Sequence, residues 1–153
     1  MLAYLDIETS YDGALIVVGL WRPHGGLSQW VSPDIDSAEL LEALSGAQAL
    51  YTYNGHRFDL PVIHRRLGLN LRRLFSSRDL MYDCWRRGLY GGLKAVERQL
   101  GIPRSLPHLD GRDAMRLWAA YVDRGEEEAL ELLLRYNRED VENLDLLRSH
   151  LPA

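Results

Sequence analysis

Short apolar runs separated by turn signals occupy the first third of the chain. Runs rich in β-branched and aromatic residues are typical of strands. Gly13 and Gly25–Gly26 separate three such runs, which predicts a three-stranded meander, and Asn54–Gly55 closes a fourth run. The predicted strands lie in Leu2–Ser10, Ala14–Trp21, Leu27–Val31 and Ala47–Tyr53.

Further along the chain, apolar residues recur at three- and four-residue spacing, which is typical of helices with one buried face. Asp36 is a predicted N-cap, and glycines end two later helices. We predict a strand from about Ser77 through Leu80–Tyr82, with the start of a helix as the alternative, and a surface loop over Ile102–Gly111. The predicted helices are Ala38–Leu44, one that opens at Phe58–Ile63, Leu93–Gly101, Asp113–Arg124 and Glu126–His150.

Composition bounds the class of protein. A chain of 153 residues with 46% hydrophobic and 26% charged residues suits a single globular domain over residues 1–153. No apolar run is long enough for a membrane span or a signal peptide, so we expect a cytoplasmic protein with no membrane partner. The single cysteine, Cys84, excludes an internal disulfide and a multi-cysteine zinc site, and we expect it to be a small buried hydrophobe.

The charge is unevenly distributed along the chain. The net charge is -4, yet the segment from Gly55 to Ser105 holds 11 basic and 4 acidic residues, a net charge of +7. A basic segment in an acidic chain suits a protein that contacts phosphates with one face and holds metal with another. The alternative is that these arginines form an ordinary solvated surface.

Two carboxylates end the first predicted strand. Because side chains alternate along a strand, Asp6 and Glu8 point to the same side, and the apolar residues between and before them are buried on the other. Like charges so close repel each other unless a cation lies between them, which suggests a divalent metal. The alternative is that either acid starts a turn or caps a helix.

Further acids occur at the end of the fourth strand and on the last helix. Asp59 lies where a strand gives way to a helix, the side of an α/β sheet on which ligands bind, although a helix N-cap is an alternative role. Tyr136 and Asp140 are four residues apart on the last predicted helix, so they share a face. Taken alone, Tyr136 could be core packing with its hydroxyl at the rim.

As a set, these four carboxylates point to metal chemistry. Oxygen ligands without histidine or thiolate suit hard ions such as Mg²⁺ or Mn²⁺, and four carboxylates can hold two of them. Two ions about 4 Å apart stabilise the attacking and leaving oxygens in phosphodiester hydrolysis.

Three segments resemble the exonuclease motifs of the DEDD superfamily in its tyrosine-bearing DEDDy branch. They are Asp6-Ile7-Glu8, Asn54-Gly55-His56-Arg57-Phe58-Asp59 and Tyr136-Asn137-Arg138-Glu139-Asp140. Residues 53–61 and 136–144 are similar to bacterial YprB-type ribonuclease H-like domains. The resemblance implies an α/β, ribonuclease H-like fold, with a mixed five-stranded sheet flanked by helices in three α/β/α layers, and metal-dependent 3′-5′ exonuclease activity on single-stranded DNA or RNA.

The resemblance also implies residue roles. Asp6, Glu8, Asp59 and Asp140 would hold two divalent cations, Mg²⁺ or Mn²⁺, with Asp59 acting partly through water. Tyr136 would orient the attacking water, while the metal lowers the pKa of that water. Six further residues are candidates for binding the terminal nucleotide and its phosphate: Thr9, Asn54, His56, Arg57, Phe58 and Lys94.

Other functions remain open at this stage. Related proofreading exonucleases are commonly parts of larger chains, so we expect this one to act slowly alone, to need a partner protein that supplies substrate binding, or to act on short oligonucleotides. A non-catalytic nucleic-acid-binding or scaffold domain and a structure-selective endonuclease with the same metal centre are the alternatives.

Overall fold

A computed structural model describes residues 1–152 of the chain. One five-stranded sheet is formed by β1 (Leu2–Thr9), β2 (Leu15–Arg22), β3 (Gly26–Val31), β4 (Ala49–Thr52) and β5 (Ser77–Asp79). The helices are α1 (Ser37–Ala43), α2 (Asp59–Leu67), α3 (Leu71–Leu74), α4 (Leu80–Trp85), α5 (Leu93–Leu100), α6 (Gly111–Arg124) and α7 (Glu127–His150).

The sheet is mixed, with the strand order β3-β2-β1-β4-β5. The first three strands form the predicted antiparallel meander. After α1 the chain returns as β4, which pairs parallel to β1, and β5 pairs parallel to β4. The strand β1 therefore lies at the centre of the sheet, where both of its edges are paired.

Alternation along β1 separates two cores. Leu5 and Ile7 pack into the core that α1 and α2 cover, whereas Tyr4 packs on the opposite face with residues of α4, α5 and α7. Asp6 and Glu8 follow Tyr4 at two-residue intervals, so their side chains emerge on the α7 face. The predicted three-layer arrangement and the shared direction of these two acids are confirmed.

The fifth strand is shorter than predicted. It ends at Asp79, and the next three residues start α4, so the strand prediction over Leu80–Tyr82 was wrong. The carboxylate of Asp79 caps α4 by accepting a hydrogen bond from the N–H of Met81 at 3.0 Å. A short apolar triplet fits a strand or a helix equally well, and here the N-cap decides. The short helix α3 had no predicted counterpart.

The last helix lies across β1 and β2. At the crossing, the fully buried Asn137 lies against Gly19 of β2, which pairs with Asp6 on one side and Gln29 on the other. A Cβ atom at Gly19 would lie 2.2 Å from Oδ1 of Asn137. The missing side chain at Gly19 therefore lets α7 approach the sheet.

Membrane-spanning helices are absent from the described part of the chain: none of its helices combines the required length with sufficient apolar character.

The contact between Gly19 and Asn137 can be tested by substitution. Gly19→Ala should lower the free energy of unfolding by about 1–3 kcal/mol, because the added methyl group overpacks the helix–sheet contact. Gly111→Ala is the matched control, since a Cβ there meets nothing within 4 Å, and it should cause no loss. Urea denaturation measures both. Equal midpoints for Gly19→Ala and wild type would contradict the close approach.

Candidate metal centre

Three carboxylates from two elements meet on the α7 face of the sheet. Asp6 and Glu8 come from β1, and Asp140 comes from the second half of α7. One oxygen from each side chain lies within 4.8 Å of those from the other two. Glu8 and Asp140 are buried, and Asp6 is partly exposed. The structure therefore brings together three of the four acids that the sequence singled out.

The fourth acid, Asp59, approaches from α2 but is not part of this group of three. Its Oδ2 accepts a hydrogen bond at 3.1 Å from the backbone N–H of Ile7, the residue between Asp6 and Glu8. The alternative role as a helix N-cap was wrong, because Phe58 takes that position and no side chain caps α2. Asp59 instead braces the strand that carries two of the three clustered carboxylates.

Burial and mutual repulsion make the charged forms of these acids unfavourable. Burial, followed by the charge of Asp140, raises the pKa values of both Asp6 and Glu8 well above their usual range. Burial also raises the pKa of Asp59 to about 7. Burial raises the pKa of Asp140 as well, although Lys94 opposes the shift. A cation at this position would relieve the repulsion.

Asn137 positions Asp6. Its Nδ2 donates to Oδ2 of Asp6 at 3.2 Å and to the backbone oxygen of the same residue at 3.3 Å. In turn, Nε2 of Gln29 donates to Oδ1 of Asn137 at 3.0 Å and to the backbone oxygen of Leu134 at 2.9 Å. These hydrogen bonds, together with the contact at Gly19, fix the orientation of one oxygen of Asp6.

Arg104 is a buried cation beside the acids. Its side chain is 5% exposed, and it donates through Nη2 to Oδ1 of Asp140 and through Nε to Oε1 of Glu97 at 2.8 Å. The sequence assigned Arg104 to the basic segment and Ile102–Gly111 to a surface loop. Both Ile102 and Arg104 are in fact buried, so the surface assignment was wrong for these residues.

The loop that carries Arg104 is fastened to α7. Glu139 accepts hydrogen bonds from the N–H of Ser105 at 2.8 Å and from the N–H of Leu106 at 3.1 Å. Asn143, one turn further along the helix, donates to Oε2 of Glu97. The helix α7 therefore holds both α5, through Glu97, and the part of the loop that directly follows Arg104, and these contacts fix the position of Arg104 beside the carboxylates.

Tyr136 and Lys94 form a second polar contact at the cluster. Tyr136 is 3% exposed, and Nζ of Lys94 donates to its hydroxyl oxygen at 2.5 Å. The same Nζ lies 3.8 Å from Oδ1 of Asp140. Burial and the charge of Asp140 raise the pKa of Tyr136 above its ordinary value. Tyr136 is therefore a neutral phenol near physiological pH.

The donor set fits a hard divalent cation. All three clustered groups are carboxylates, the ligand type that Mg²⁺ and Mn²⁺ prefer. Oε1 of Glu8 is buried and accepts no hydrogen bond within residues 1–152, so one oxygen is left to bind a cation. The two cationic contacts of Asp140 are both to Oδ1, and the described residues donate no hydrogen bond to its Oδ2.

A protein-family model described as the RNase_H superfamily matches residues 3–152. The chain belongs to the RNase H superfamily. The ribonuclease H-like fold predicted from the motifs is thereby confirmed. Membership of this superfamily suggests nuclease activity. Among curated proteins, none matches this sequence.

A solved structure shares the RNase H-like fold. The family B DNA polymerase from the hyperthermophilic archaeon Pyrobaculum calidifontis matches with a TM-score of 0.70 and 17% identity. The match covers 92% of this chain and 23% of the polymerase chain, so this RNase H superfamily member spans about a quarter of the length of that polymerase. At this identity the likeness shows the fold alone.

Four of the six predicted substrate-binding residues lie in the loop between β4 and α2. Asp79 fixes this loop, because its Oδ1 accepts from the N–H of Asn54 at 2.8 Å and its Oδ2 accepts from the N–H of His56 at 3.3 Å. Asn54 has a positive φ of 60°, which asparagine tolerates better than most residues. The His56 ring lies 3.1 Å from Oγ of Ser77.

The remaining candidates differ in exposure. Thr9 is buried at the end of β1, whereas Phe58 is 43% exposed immediately before Asp59. Arg57 is exposed and lies over aromatic rings of α4, and Lys94 is directed to the carboxylate cluster. Substrate contacts of these residues stay predictions.

Sequence reasoning missed the polar residues that surround the acids. These partners are distant in the chain: Arg104 precedes Asp140 by 36 residues, and Asn137 follows Asp6 by 131. No local spacing reveals such contacts. The one available signal was Asn137, which lies within the third motif and three residues before Asp140, on the same face of the helix.

Cavity size does not locate this site. A cavity of about 740 Å³ is bounded by the start of β1, the turn between β2 and β3 and the end of α1, and none of the clustered acids lines it. The chemistry of the carboxylates identifies the candidate site instead.

The buried network around Arg104 predicts a large effect on stability. Arg104→Met should lower the free energy of unfolding by about 3–5 kcal/mol, because Glu97 would keep its buried charge without its cation. Arg138→Met is the matched control: its partner Glu142 lies 2.7 Å away, but Arg138 is 60% exposed, so the loss should be under about 1 kcal/mol. Urea denaturation of both variants tests this, and equal losses would contradict the buried network.

Proposed function

We propose that this chain is a metal-dependent 3′-5′ exonuclease of the DEDDy type that hydrolyses phosphodiester bonds of single-stranded DNA or RNA. The observation that carries the proposal is the convergence of Asp6, Glu8 and Asp140 with a buried, unpaired oxygen on Glu8. Membership of the RNase H superfamily supports the nuclease class. The 3′-5′ direction and the likeness to YprB-type domains rest on the three sequence motifs.

In this proposal Asp6, Glu8 and Asp140 would hold two divalent cations, Mg²⁺ or Mn²⁺. Asp59 contributes partly through water and keeps β1 in place through Ile7. When bound, the cations lower the pKa of water and stabilise the attacking and leaving oxygens of the phosphodiester. Asn137 and Arg104 are positioning residues, since each holds one oxygen of a metal-binding carboxylate.

Tyr136 is proposed to orient the attacking water rather than to deprotonate it. Lys94 already donates to the phenolic oxygen, so the hydroxyl hydrogen of Tyr136 is free to donate to another acceptor. A water oxygen is such an acceptor. The raised pKa of Tyr136, caused by burial and the nearby carboxylates, opposes a role as general base.

Asn54, Phe58 and Thr9 are proposed to shape the pocket for the terminal nucleotide, with His56, Arg57 and Lys94 as contacts for phosphate. Phe58 is the most favourably placed of the apolar candidates, because it is exposed next to Asp59. We further propose that residues 1–153 form a single exonuclease domain, whose activity a partner protein would raise by supplying substrate.

A non-catalytic nucleic-acid-binding function is the second candidate. The observation that favours it is the pairing of Asp140 with Arg104 and Lys94, which neutralises part of the acidic cluster without a metal. The exonuclease proposal requires that these cations leave Asp6, Glu8 and one oxygen of Asp140 available. Activity assays separate the two candidates.

Labelled substrates test the exonuclease proposal. Single-stranded DNA and RNA of equal sequence carrying a 5′ label should shorten one nucleotide at a time from the 3′ end in the presence of Mn²⁺. Asp140→Asn should lower the rate at least about 100-fold, because a direct ligand is lost. Tyr136→Phe should lower the rate about tenfold or more and keep Mn²⁺ affinity, because only the position of the water changes.

Glu142→Gln on the same helix is the control for Asp140→Asn and should keep full activity, since within residues 1–152 the side chain of Glu142 pairs with the exposed Arg138 and with no other group. Cuts within a circular single strand would indicate an endonuclease instead. Intact DNA and RNA, bound with unchanged affinity by wild type and Asp140→Asn, would support the non-catalytic candidate and overturn the exonuclease.

A further inference from the structure

One exposed arginine and two aromatic rings, one exposed and one half-buried, form a cluster that begins two residues before Asp59. Arg57 stacks its guanidinium Cζ 5.5 Å from the ring centroid of Trp85 and 5.9 Å from that of Tyr82. The two rings are themselves in edge-on contact, with centroids 5.4 Å apart and an interplanar angle of 83°. We name Arg57, Tyr82 and Trp85 the aromatic patch.

The patch is held rigidly. Asp79, which is 3% exposed, bonds with one oxygen to the N–H groups of Asn54 and Met81 and with the other to the N–H of His56. The loop that carries Arg57 and the helix that carries Tyr82 and Trp85 are thus fastened to one buried carboxylate. A surface whose backbone is already held in this way has a smaller ordering cost on binding a ligand.

The same loop connects the patch to the metal centre. Asp59 follows Arg57 by two residues and bonds to Ile7 between Asp6 and Glu8. Phe58, 43% exposed, lies between the two in sequence. A nucleotide strand whose 3′ end lies at the carboxylates therefore has the aromatic patch in its immediate vicinity.

The positive charge of Arg57 is not paired with any acid in the described structure. Arg57 forms no ion pair and no side-chain hydrogen bond with any of residues 1–152, and Trp85 is 36% exposed. Arg86, which follows Trp85 in the chain, and Arg78 share a single acid, Asp83, at 3.6 and 3.0 Å. The surroundings are thus net basic, which favours an anionic partner.

We propose that the aromatic patch binds unpaired nucleotides of a single-stranded nucleic acid behind its 3′ end. A base stacks on the exposed face of Trp85, and Arg57 contacts the adjacent phosphate. Stacking accepts any base, so the patch selects single strands over duplexes without reading sequence. The inference rests on the proposed function for the class of ligand, but it concerns binding rather than cleavage.

Binding without metal isolates this inference from catalysis. Fluorescence anisotropy in EDTA compares labelled oligothymidylate of twelve nucleotides, an abasic strand of the same length and a thymidine dinucleotide. Wild type should bind the base-containing strand more tightly than the abasic strand. Trp85→Leu should weaken binding of the base-containing 12-mer about tenfold, leave the abasic strand nearly unchanged and barely affect the dinucleotide.

Arg57→Gln provides a second variant at an exposed position, where the replaced side chain forms no hydrogen bond or ion pair with residues 1–152 and only stacks on the two rings. It should weaken binding of both 12-mers and reduce the slope of log affinity against log salt by about one. Arg116→Gln, at an exposed arginine of α6, and Trp118→Leu, at a half-buried ring of the same helix, are controls for the two types of substitution and should bind like wild type. Thermal midpoints confirm that each variant is folded.

Two results would overturn the inference. One is unchanged affinity for the base-containing 12-mer in both Trp85→Leu and Arg57→Gln, and the other is an equal loss for base-containing and abasic strands in Trp85→Leu. Cleavage by the wild type with either result would leave the exonuclease intact and refute the patch. Base-dependent binding through Trp85 without any cleavage would support the patch and refute the exonuclease.

Discussion

Repulsion among buried carboxylates is the constraint on which the rest of the structure depends. Asp6, Glu8 and Asp140 lie with oxygens within 4.8 Å of one another, Glu8 and Asp140 being buried and Asp6 half-buried, and burial raises the pKa of each. Such a grouping costs stability unless it is balanced by cations and hydrogen-bond donors. The fold supplies some of that balance itself, and in the proposed function a metal supplies the remainder at the unpaired oxygen of Glu8.

The elements around the cluster are arranged to hold acids in fixed positions. The central strand β1 fixes the direction of two carboxylates, and α7 crosses it closely because Gly19 has no side chain. Asn137 then orients Asp6, while Arg104 orients Asp140 through a loop that Glu139 fastens to the same helix. Arg104 thus holds Oδ1 of Asp140, while no residue of the described chain donates a hydrogen bond to Oδ2.

Local periodicity was sufficient to predict which acids face the same way. The two-residue period of a strand correctly predicted that the side chains of Asp6 and Glu8 point to the same face. The position of Asp59 at the end of a strand correctly predicted that it lies near β1. The same reasoning failed where a short apolar segment fits two structures, as in α4, whose start is decided by the cap at Asp79. It also failed for Arg104, because the contact with Asp140 joins residues far apart in sequence and depends on how a loop packs. The roles of Tyr136 and of the nucleotide-binding candidates stay predictions.

The most direct test of the central claim is anomalous X-ray diffraction from crystals of the protein grown with millimolar Mn²⁺ at neutral pH. The account predicts an anomalous peak within coordination distance of Asp6, Glu8 and Asp140, with Nη2 of Arg104 still bonded to Oδ1 of Asp140. The cation should contact Oε1 of Glu8, the buried oxygen that has no partner in the described chain. Absence of anomalous density between these carboxylates, in crystals that contain Mn²⁺ elsewhere or in solution around the protein, would contradict the account.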